Sequence, residues 1–166
     1  MDGDGQGGFA AWSAAQAPSL HRFAYLMCGD WHDAEDLVQE ALAKAALHWS
    51  RIERTEHPDA YVRTILLNQC RSMWRRPWAR TSRASDPVDR SVPDATDMIA
   101  ARSEVMAALR LLPTRQRATV VLRYYEELSE AETAAVLGCS VGTVKNQTHK
   151  ALRSLREAMS REELQC

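Results

Sequence analysis

The sequence predicts an all-α protein with two small helical domains joined by a flexible linker, the second being a four-helix unit that contains a helix-turn-helix. Apolar residues recur at helical spacing along most of the 166-residue chain, and no segment alternates cleanly between apolar and polar residues as a strand would. Residues 77–97 instead combine Pro, Ser, Thr and Asp without an apolar period. We therefore expect domains at residues 9–76 and 98–160, with a linker over residues 77–97.

Three helices are expected in the first domain. The first should cover residues 9–27, and Pro18 should kink or break it. The second should begin at an aspartate cap, Asp30 or Asp33, and run to residue 52. The third should carry Pro58 in its first turn and end near residue 77. The helices expected in the second domain cover residues 98–112, 114–126, 130–137 and 141–159.

The composition argues against several classes of protein. The four cysteines lie far apart and form no C-x-x-C pair, which disfavours a disulfide framework or a zinc site and favours free thiols in a reducing cytoplasm. The sequence has no apolar run of about 18 residues, so no membrane-spanning helix is expected. The acidic, Gly-rich start lacks the basic and apolar regions of a secretory signal. We expect a cytoplasmic protein.

The formal net charge of −1 hides a segregation of charge along the chain. No acidic residue falls between Asp59 and Asp86, a stretch with six arginines, or between Glu132 and Glu157, where four lysines and arginines occur. The acids concentrate in residues 30–40 and 86–97 instead. Basic and acidic blocks in one chain indicate two kinds of partner.

Residues 130–149 carry the pattern of a helix-turn-helix. Ala134 supplies the small residue where the two helices cross, Gly138 tolerates a left-handed turn, Ser140 suits the N-cap of the second helix, and Val144 is its apolar anchor. A generic helical hairpin with a solvated basic face is the alternative. Three arginines on the preceding helix are candidates for phosphate contacts, namely Arg115, Arg117 and Arg123. The side chains predicted to face a major groove are Thr143, Lys145, Asn146, His149, Lys150 and Arg153.

A second basic stretch, residues 71–80, interleaves tryptophan with arginine. Indole rings such as that of Trp74 stack on unpaired bases, and guanidinium groups neutralise phosphates. The alternative is that the tryptophans pack into the first core while the arginines are merely solvated. The stretch is thus a candidate contact with single-stranded nucleic acid.

Residues 33–40, Asp-Ala-Glu-Asp-Leu-Val-Gln-Glu, form an acidic helix start. Asp36, Gln39 and Glu40 fall on adjacent faces of one helix. Paired carboxylates serve acid–base chemistry or bind hard cations in many enzymes, but no companion His or carboxylate constellation and no Gly-rich phosphate loop accompany these. Two interpretations stay open, a solvated helix start and a binding surface for a basic protein. An enzyme is not expected.

These features, in this order, resemble the extracytoplasmic-function (ECF) sigma factors, the smallest members of the bacterial sigma-70 family. The resemblance covers roughly residues 9–159. The segments that carry it are residues 33–40, Ala-Tyr-Val-Arg-Thr-Ile-Leu-Leu-Asn at 60–68, Leu-Leu-Pro-Thr-Arg-Gln-Arg at 111–117 and Gly-Thr-Val-Lys at 142–145. Residues 129–144 look similar to the actinobacterial SigE-type subgroup.

The resemblance implies two helical domains, called regions 2 and 4, that bind core RNA polymerase and read the −10 and −35 promoter elements. It implies docking on the β′ clamp helices by Asp36, Leu37, Gln39 and Glu40. It implies opening and reading of the −10 element by Arg63, Asn68, Arg71, Trp74, Arg75 and Arg76, with a flipped base held by the loop before Pro58. It implies −35 readout by Thr143, Lys145, Asn146, His149, Lys150 and Arg153, with region 4 also leaning on the β flap. The linker would thread toward the RNA path of the polymerase, no cofactor would be needed, and an anti-sigma factor is a possible further partner.

The chain departs from the usual family pattern at several positions. Tyr61 stands where tryptophan is frequent, Ser72 where an acid is frequent, and Gln147 and Thr148 where Arg-Leu is frequent. Thr148 therefore replaces an apolar anchor of the recognition helix. The alternative function is an autonomous helix-turn-helix regulator in which residues 9–76 form a dimerisation or effector domain.

Overall fold

The computed structural model describes the backbone of residues 3–75 and 96–163, and the side chains of residues 7–73, 75 and 104–161. Eight α-helices and one π-helical turn account for most of these ranges. Their bounds are α1 Gly3–Cys28, α2 Trp31–Leu47, α3 Trp49–Ile52, α4 Pro58–Arg75, α5 Thr96–Leu111, α6 Thr114–Val120, the π-helical turn Val121–Tyr125, α7 Glu130–Leu137 and α8 Val141–Glu163. We call α1–α4 the N-terminal half and the elements from α5 onward the C-terminal half.

Two local expectations for the N-terminal half were wrong. Helix α1 continues without a break through Pro18, which is exposed. The predicted second helix is divided at His48, whose backbone leaves the helical region at φ −121° and ψ 17°. The division turns Trp49 and Ile52 of α3 into the core, where both are buried. Of the two N-cap candidates, Asp30 is the one that caps α2, since its side chain accepts a hydrogen bond from the Asp33 amide at 3.0 Å.

The core of the N-terminal half lies between α1, α2 and α4. Its largest fully buried side chains are Leu20, Phe23, Met27, Val38, Ile52, Val62, Leu66 and Leu67. An aromatic cluster closes one end, with the rings of Trp12 and Trp49 4.9 Å apart and Phe9 edge-on to Trp49. The indole of Trp12 donates to the Asp59 carboxylate at 2.7 Å and so ties α1 to the start of α4.

The helix-turn-helix has the local geometry that the sequence predicts. Gly138 ends α7 in the left-handed region at φ +63°, and the Thr143 amide donates to the Ser140 hydroxyl at 3.1 Å. Ala134 and Val144 are both buried where α7 and α8 meet. Thr148, where an apolar anchor is frequent, donates its hydroxyl to the Val144 carbonyl at 2.8 Å. Its polar group is therefore satisfied inside the recognition helix.

The two halves pack against each other, which the sequence did not predict. Arg117 of α6 donates to the Met27 carbonyl at 2.7 Å, and Arg110 of α5 donates to the Gly29 carbonyl at 3.0 Å. The Thr64 hydroxyl of α4 reaches the Val136 carbonyl of α7 at 3.4 Å. Buried side chains of both halves join in one apolar cluster. The predicted linker lies outside the described residues, except that Thr96 and Asp97 begin α5.

The turn between α7 and α8 yields a stability prediction. Replacing Gly138 by Ala forces a β-carbon into the left-handed region, so Gly138→Ala should lower the free energy of unfolding by about 1–2 kcal/mol. Gly142→Ala is the matched control, because Gly142 lies within α8 and a β-carbon there meets only the Ser140 hydroxyl, at 3.8 Å. It should leave the free energy of unfolding unchanged or raise it by up to about 1 kcal/mol. Urea unfolding measures both, and equal effects of the two substitutions would contradict the prediction.

Candidate nucleic-acid and partner interfaces

Helix α8 presents the six side chains predicted to read duplex DNA along one length of helix. Lys145, Asn146, His149, Lys150 and Arg153 are exposed. Thr143 is half-buried and shares a 2.9 Å hydrogen bond with the Ser140 hydroxyl. The start of α8 is thus fixed by its cap while its longer polar side chains reach solvent.

The cations on α8 are only weakly engaged within the protein. Lys145 lies 3.7 Å from a carboxylate oxygen of Glu130, and Arg153 lies 3.5 Å from one of Glu157. Their side chains are 63% and 75% exposed, so solvent screens both pairs and each contributes at most about 1 kcal/mol. Phosphates can therefore replace these carboxylates at little cost.

The second basic surface follows the end of α4. Asn68 and Arg75 are exposed and Arg71 is half-buried. Burial lowers the pKa of the Arg71 guanidinium, and the neighbouring charges of Arg115 and Arg75 lower it further. Arg115 is on α6, so this cationic surface receives side chains from both halves. Trp74 belongs to α4 but its side chain is not among those described, and Arg76 lies outside the described residues.

Arg63, predicted to act on the −10 element, lies in the interior. Its guanidinium forms a buried ion pair with Glu126 of the C-terminal half, and its side chain is only 9% exposed. In this arrangement of the halves, Arg63 cannot touch DNA. Its role at the −10 element stays a prediction that requires the halves to separate.

Three arginines on the helix before the helix-turn-helix were expected to contact phosphates. Two of them donate hydrogen bonds to carbonyl groups of the protein instead. Arg117 is buried and donates to the Met27 and Leu112 carbonyls. Arg123 is half-buried and donates to the Leu128 carbonyl. Arg115 is exposed. The expectation is wrong for the buried Arg117 in this arrangement, because sequence spacing does not reveal the Met27 carbonyl that tertiary packing brings to it. A phosphate contact by the half-buried Arg123, whose acceptor is only five positions away, stays a prediction.

An acidic groove of about 510 Å³ runs between α2 and α4. Three predicted docking residues line it, namely Asp36, Leu37 and Glu40, whereas Gln39 is exposed outside its lining. Leu37 is buried and contributes apolar surface, and Glu40 also pairs with Lys44 at 2.9 Å. The remaining lining residues are Asp33, Lys44, Ile65, Asn68, Gln69, Ser72 and Met73. The groove thus combines carboxylates from α2 with amide, hydroxyl and apolar groups from α4.

Sequence analysis missed the contribution of α4 to this groove. Ile65, Asn68, Gln69, Ser72 and Met73 recur at helical spacing, which is the signal that places them on one face of α4. That they face α2 follows only from the packing of the two helices. Gln69 is 7% exposed, and neither its amide oxygen nor its amide nitrogen has a hydrogen-bond partner. An unsatisfied buried amide costs stability, so this residue type is not explained by packing alone.

The described residues offer no metal-binding arrangement beside these surfaces. No group of three or more His, Cys, Asp or Glu side chains within the described ranges is placed to hold a metal ion. Burial raises the pKa of the Cys28 thiol to about 12 and that of Cys70 further still, so neither forms an appreciable thiolate at neutral pH. Among the described helices, none is both long and apolar enough to cross a membrane.

Comparison with known proteins agrees with the two-part reading of the chain. Residues 14–80 match the family model for sigma-70 region 2, and residues 102–155 match that for sigma-70 region 4. The RNA polymerase sigma-E factor of Streptomyces coelicolor is 37% identical over 151 residues, covering 91% of this chain and 85% of that protein. The ECF RNA polymerase sigma factor SigL of Mycobacterium tuberculosis is 33% identical over 145 residues, covering 84% and 82%.

Two solved structures share the fold over nearly the whole chain. The sigma factor RpoE of Bartonella quintana, solved with the anti-sigma factor NepR, has a TM-score of 0.76 at 26% identity, covering 92% of this chain and 96% of that one. CnrH, solved with the cytosolic domain of CnrY, has a TM-score of 0.71 at 25% identity, covering 94% and 90%.

The unsatisfied amide of Gln69 in the groove predicts that a substitution there stabilises the protein. Gln69→Met removes two buried polar atoms without leaving a partner unpaired, so it should raise the free energy of unfolding by about 1 kcal/mol. Gln39→Met is the control, since Gln39 is exposed on α2, and its effect should stay within about 0.5 kcal/mol. Urea unfolding of both variants tests this, and destabilisation by Gln69→Met would contradict it.

Proposed function

The chain belongs to the sigma-70 family of bacterial transcription initiation factors, in its extracytoplasmic-function group, and we propose how its surfaces divide the work of directing polymerase to promoters. The acidic groove between α2 and α4 docks core RNA polymerase. The end of α4 acts on the −10 element, and α8 reads the −35 element. The domains that do so correspond to residues 9–76 and 98–160.

The observation that carries this proposal is the segregation of charge onto separate surfaces. Asp33, Asp36 and Glu40 line the groove together with Lys44, and the negative charge that remains would repel a phosphate backbone. A basic protein segment would be attracted, and Leu37 offers it apolar contact at the same place. The exposed cations of α8 suit the opposite kind of partner, a DNA backbone. One chain therefore presents a protein-binding surface and a DNA-binding surface.

Within the docking surface, Asp36 and Glu40 supply charge and Leu37 supplies apolar contact. Gln39 contacts the partner from outside the groove lining. Acids placed around an apolar residue favour a partner helix that carries both arginine or lysine and aliphatic side chains. The β′ clamp helices are the proposed partner. The β flap is the proposed second contact, made by the C-terminal half.

The two DNA surfaces have different tasks. Lys145, Lys150 and Arg153 contribute phosphate contacts that set affinity and register, whereas Asn146 and His149 reach toward base edges and Thr143 supports the start of the helix. On α4, Asn68, Arg71 and Arg75, with Trp74 and Arg76, take part in opening and reading the −10 element. Arg63 joins them once its ion pair with Glu126 separates.

We propose a non-catalytic, cytoplasmic protein that needs no cofactor, because the polymerase performs the chemistry of transcription. Both solved relatives described above were captured with another protein, in one case named an anti-sigma factor. We propose that a regulatory protein of that kind also binds this chain. An autonomous regulator is not favoured, since the matched relatives are sigma factors over most of their length.

Reconstituted transcription with purified core polymerase tests the docking surface. Asp36→Arg reverses a charge in the groove and should weaken core binding about tenfold or more, equivalent to about 1.4 kcal/mol. Promoter-dependent transcripts at limiting factor should fall accordingly. Glu35→Arg makes the same charge change on the neighbouring, exposed residue outside the groove lining and should leave both measurements near those of the unsubstituted chain. Absence of promoter-dependent initiation by the unsubstituted chain would refute the proposed function itself.

Salt dependence tests the recognition helix. Lys150→Ala removes one cation from α8, so the slope of log affinity against log salt concentration for promoter binding by the holoenzyme should become shallower by about one. Arg161→Ala removes an equally exposed cation near the far end of α8 and should leave the slope unchanged. Equal slopes for both variants would show that Lys150 does not contact a phosphate.

A further inference from the structure

A buried ion pair links the two halves of the chain. The Nε of Arg63 donates to Oε2 of Glu126 at 2.9 Å, and Nη2 donates to the same oxygen. Ser19 of α1 completes the cluster, because its hydroxyl donates to Oε2 at 3.1 Å and lies 3.1 Å from Nη2 of Arg63. The two charged side chains are 9% and 6% exposed. Helices α1 and α4 thus hold a carboxylate that belongs to the other half.

The backbone around Glu126 departs from regular helix on both sides. The π-helical turn Val121–Tyr125 precedes it, and Glu127 follows in the left-handed region at φ +54°. π-helical turns are rare, and a non-glycine residue at positive φ is uncommon and costs free energy. The chain therefore accepts local strain in the segment that delivers this one carboxylate to the N-terminal half.

A buried ion pair of this kind contributes more to the specificity of the closed arrangement than to its stability. A buried ion pair contributes little net stability, because desolvation offsets the attraction, but removing one partner leaves a buried charge uncompensated. Separation of the halves hydrates Arg63 and Glu126 together, so the ion pair itself does not heavily oppose opening. Closure with only one of the two charges present is strongly opposed. The pair thus specifies the closed arrangement while leaving it reversible.

The closed arrangement is too small to occupy a promoter. The −35 and −10 elements are centred roughly 25 base pairs apart, or about 85 Å at about 3.4 Å per base pair. A compact chain of this length has a radius of gyration of about 15 Å and a diameter of about 40 Å. The two DNA surfaces cannot reach both elements unless the halves separate. Separation also uncovers Arg63.

We propose that Glu126, held by Arg63 and Ser19, is an intramolecular latch that closes the free factor and masks Arg63 from DNA until polymerase engages. This inference rests on the proposed function for its consequence, but the latch is a property of the free chain. The contacts of Arg110, Arg117 and Thr64 with carbonyl groups add to the closed interface. Only a change at the ion pair would leave a charge buried without its counter-charge.

Glu126→Gln, measured in the full chain, tests the latch. Small-angle scattering should give a radius of gyration near 15 Å for the unsubstituted chain and a value larger by several ångströms for the variant. Phenylglyoxal modification, read residue by residue by mass spectrometry, should modify Arg63 about tenfold faster in the variant, while the exposed Arg153 reacts equally in both. Core association should be faster and promoter-dependent transcription retained. A folded Glu126→Gln chain with unchanged radius and unchanged Arg63 reactivity overturns the latch.

Two further variants keep the result unambiguous. Glu157→Gln makes the same chemical change in an exposed ion pair and should alter neither the radius nor the Arg63 rate. Ser19→Ala removes the hydroxyl that bonds both Glu126 and Arg63 in the closed arrangement, so it weakens the latch, though less than Glu126→Gln does. Circular dichroism reports whether either latch variant remains helical. If Glu126→Gln fails to fold, Ser19→Ala decides: faster modification of Arg63 supports the latch, and an unchanged rate overturns it. An intact latch in a chain that does not initiate transcription would refute the proposed function alone.

Discussion

Arg63 and Glu126 form the contact on which the arrangement of the two halves depends. Each is a charged side chain inside a protein, a placement tolerated only because the other is there. The pair joins the residue after the π-helical turn to α1 and α4, and the hydrogen bonds of Arg117 with Met27 and of Thr64 with Val136 join the halves at two further places. Apolar surfaces of both halves then merge in one cluster.

This contact also makes the two proposed DNA surfaces differ in accessibility. The cations of α8 stay exposed whether or not the halves are packed, whereas Arg63 is accessible only after separation. Burial lowers the pKa of Arg71, and the nearby charges of Arg115 and Arg75 lower it further; the repulsion between Arg71 and Arg115, which lie on different halves, opposes closure. The attraction between Arg63 and Glu126 favours the closed state, and the repulsion between Arg71 and Arg115 disfavours it. The free energies of the closed and open states are therefore closer together, so a partner that binds one state better can shift the equilibrium.

Charge segregation is the second principle that organises the molecule. Carboxylates collect in the groove between α2 and α4, and cations collect along α8 and at the end of α4. Asn68 lines the acidic groove although it is assigned to the −10 element, so the two surfaces adjoin on α4. In the proposed function, contact with polymerase and contact with promoter DNA would therefore occur next to each other on α4. Gln69, buried and unpaired beside it, is a stability cost located at that junction.

The sequence by itself determined most of the helices and the helix-turn-helix, because these depend on residues a few positions apart, although it did not show that α1 continues through Pro18 or that the second helix divides at His48. The Asp30 cap, the left-handed Gly138 and the burial of Val144 all follow from local chemistry and a 3.6-residue period. It also located the charged blocks and hence the kinds of partner. Only the tertiary structure decided which charged residues are available. Arg63 and Glu126 are 63 positions apart, and no local pattern distinguishes a solvated arginine from one whose counter-charge arrives from the other half of the chain.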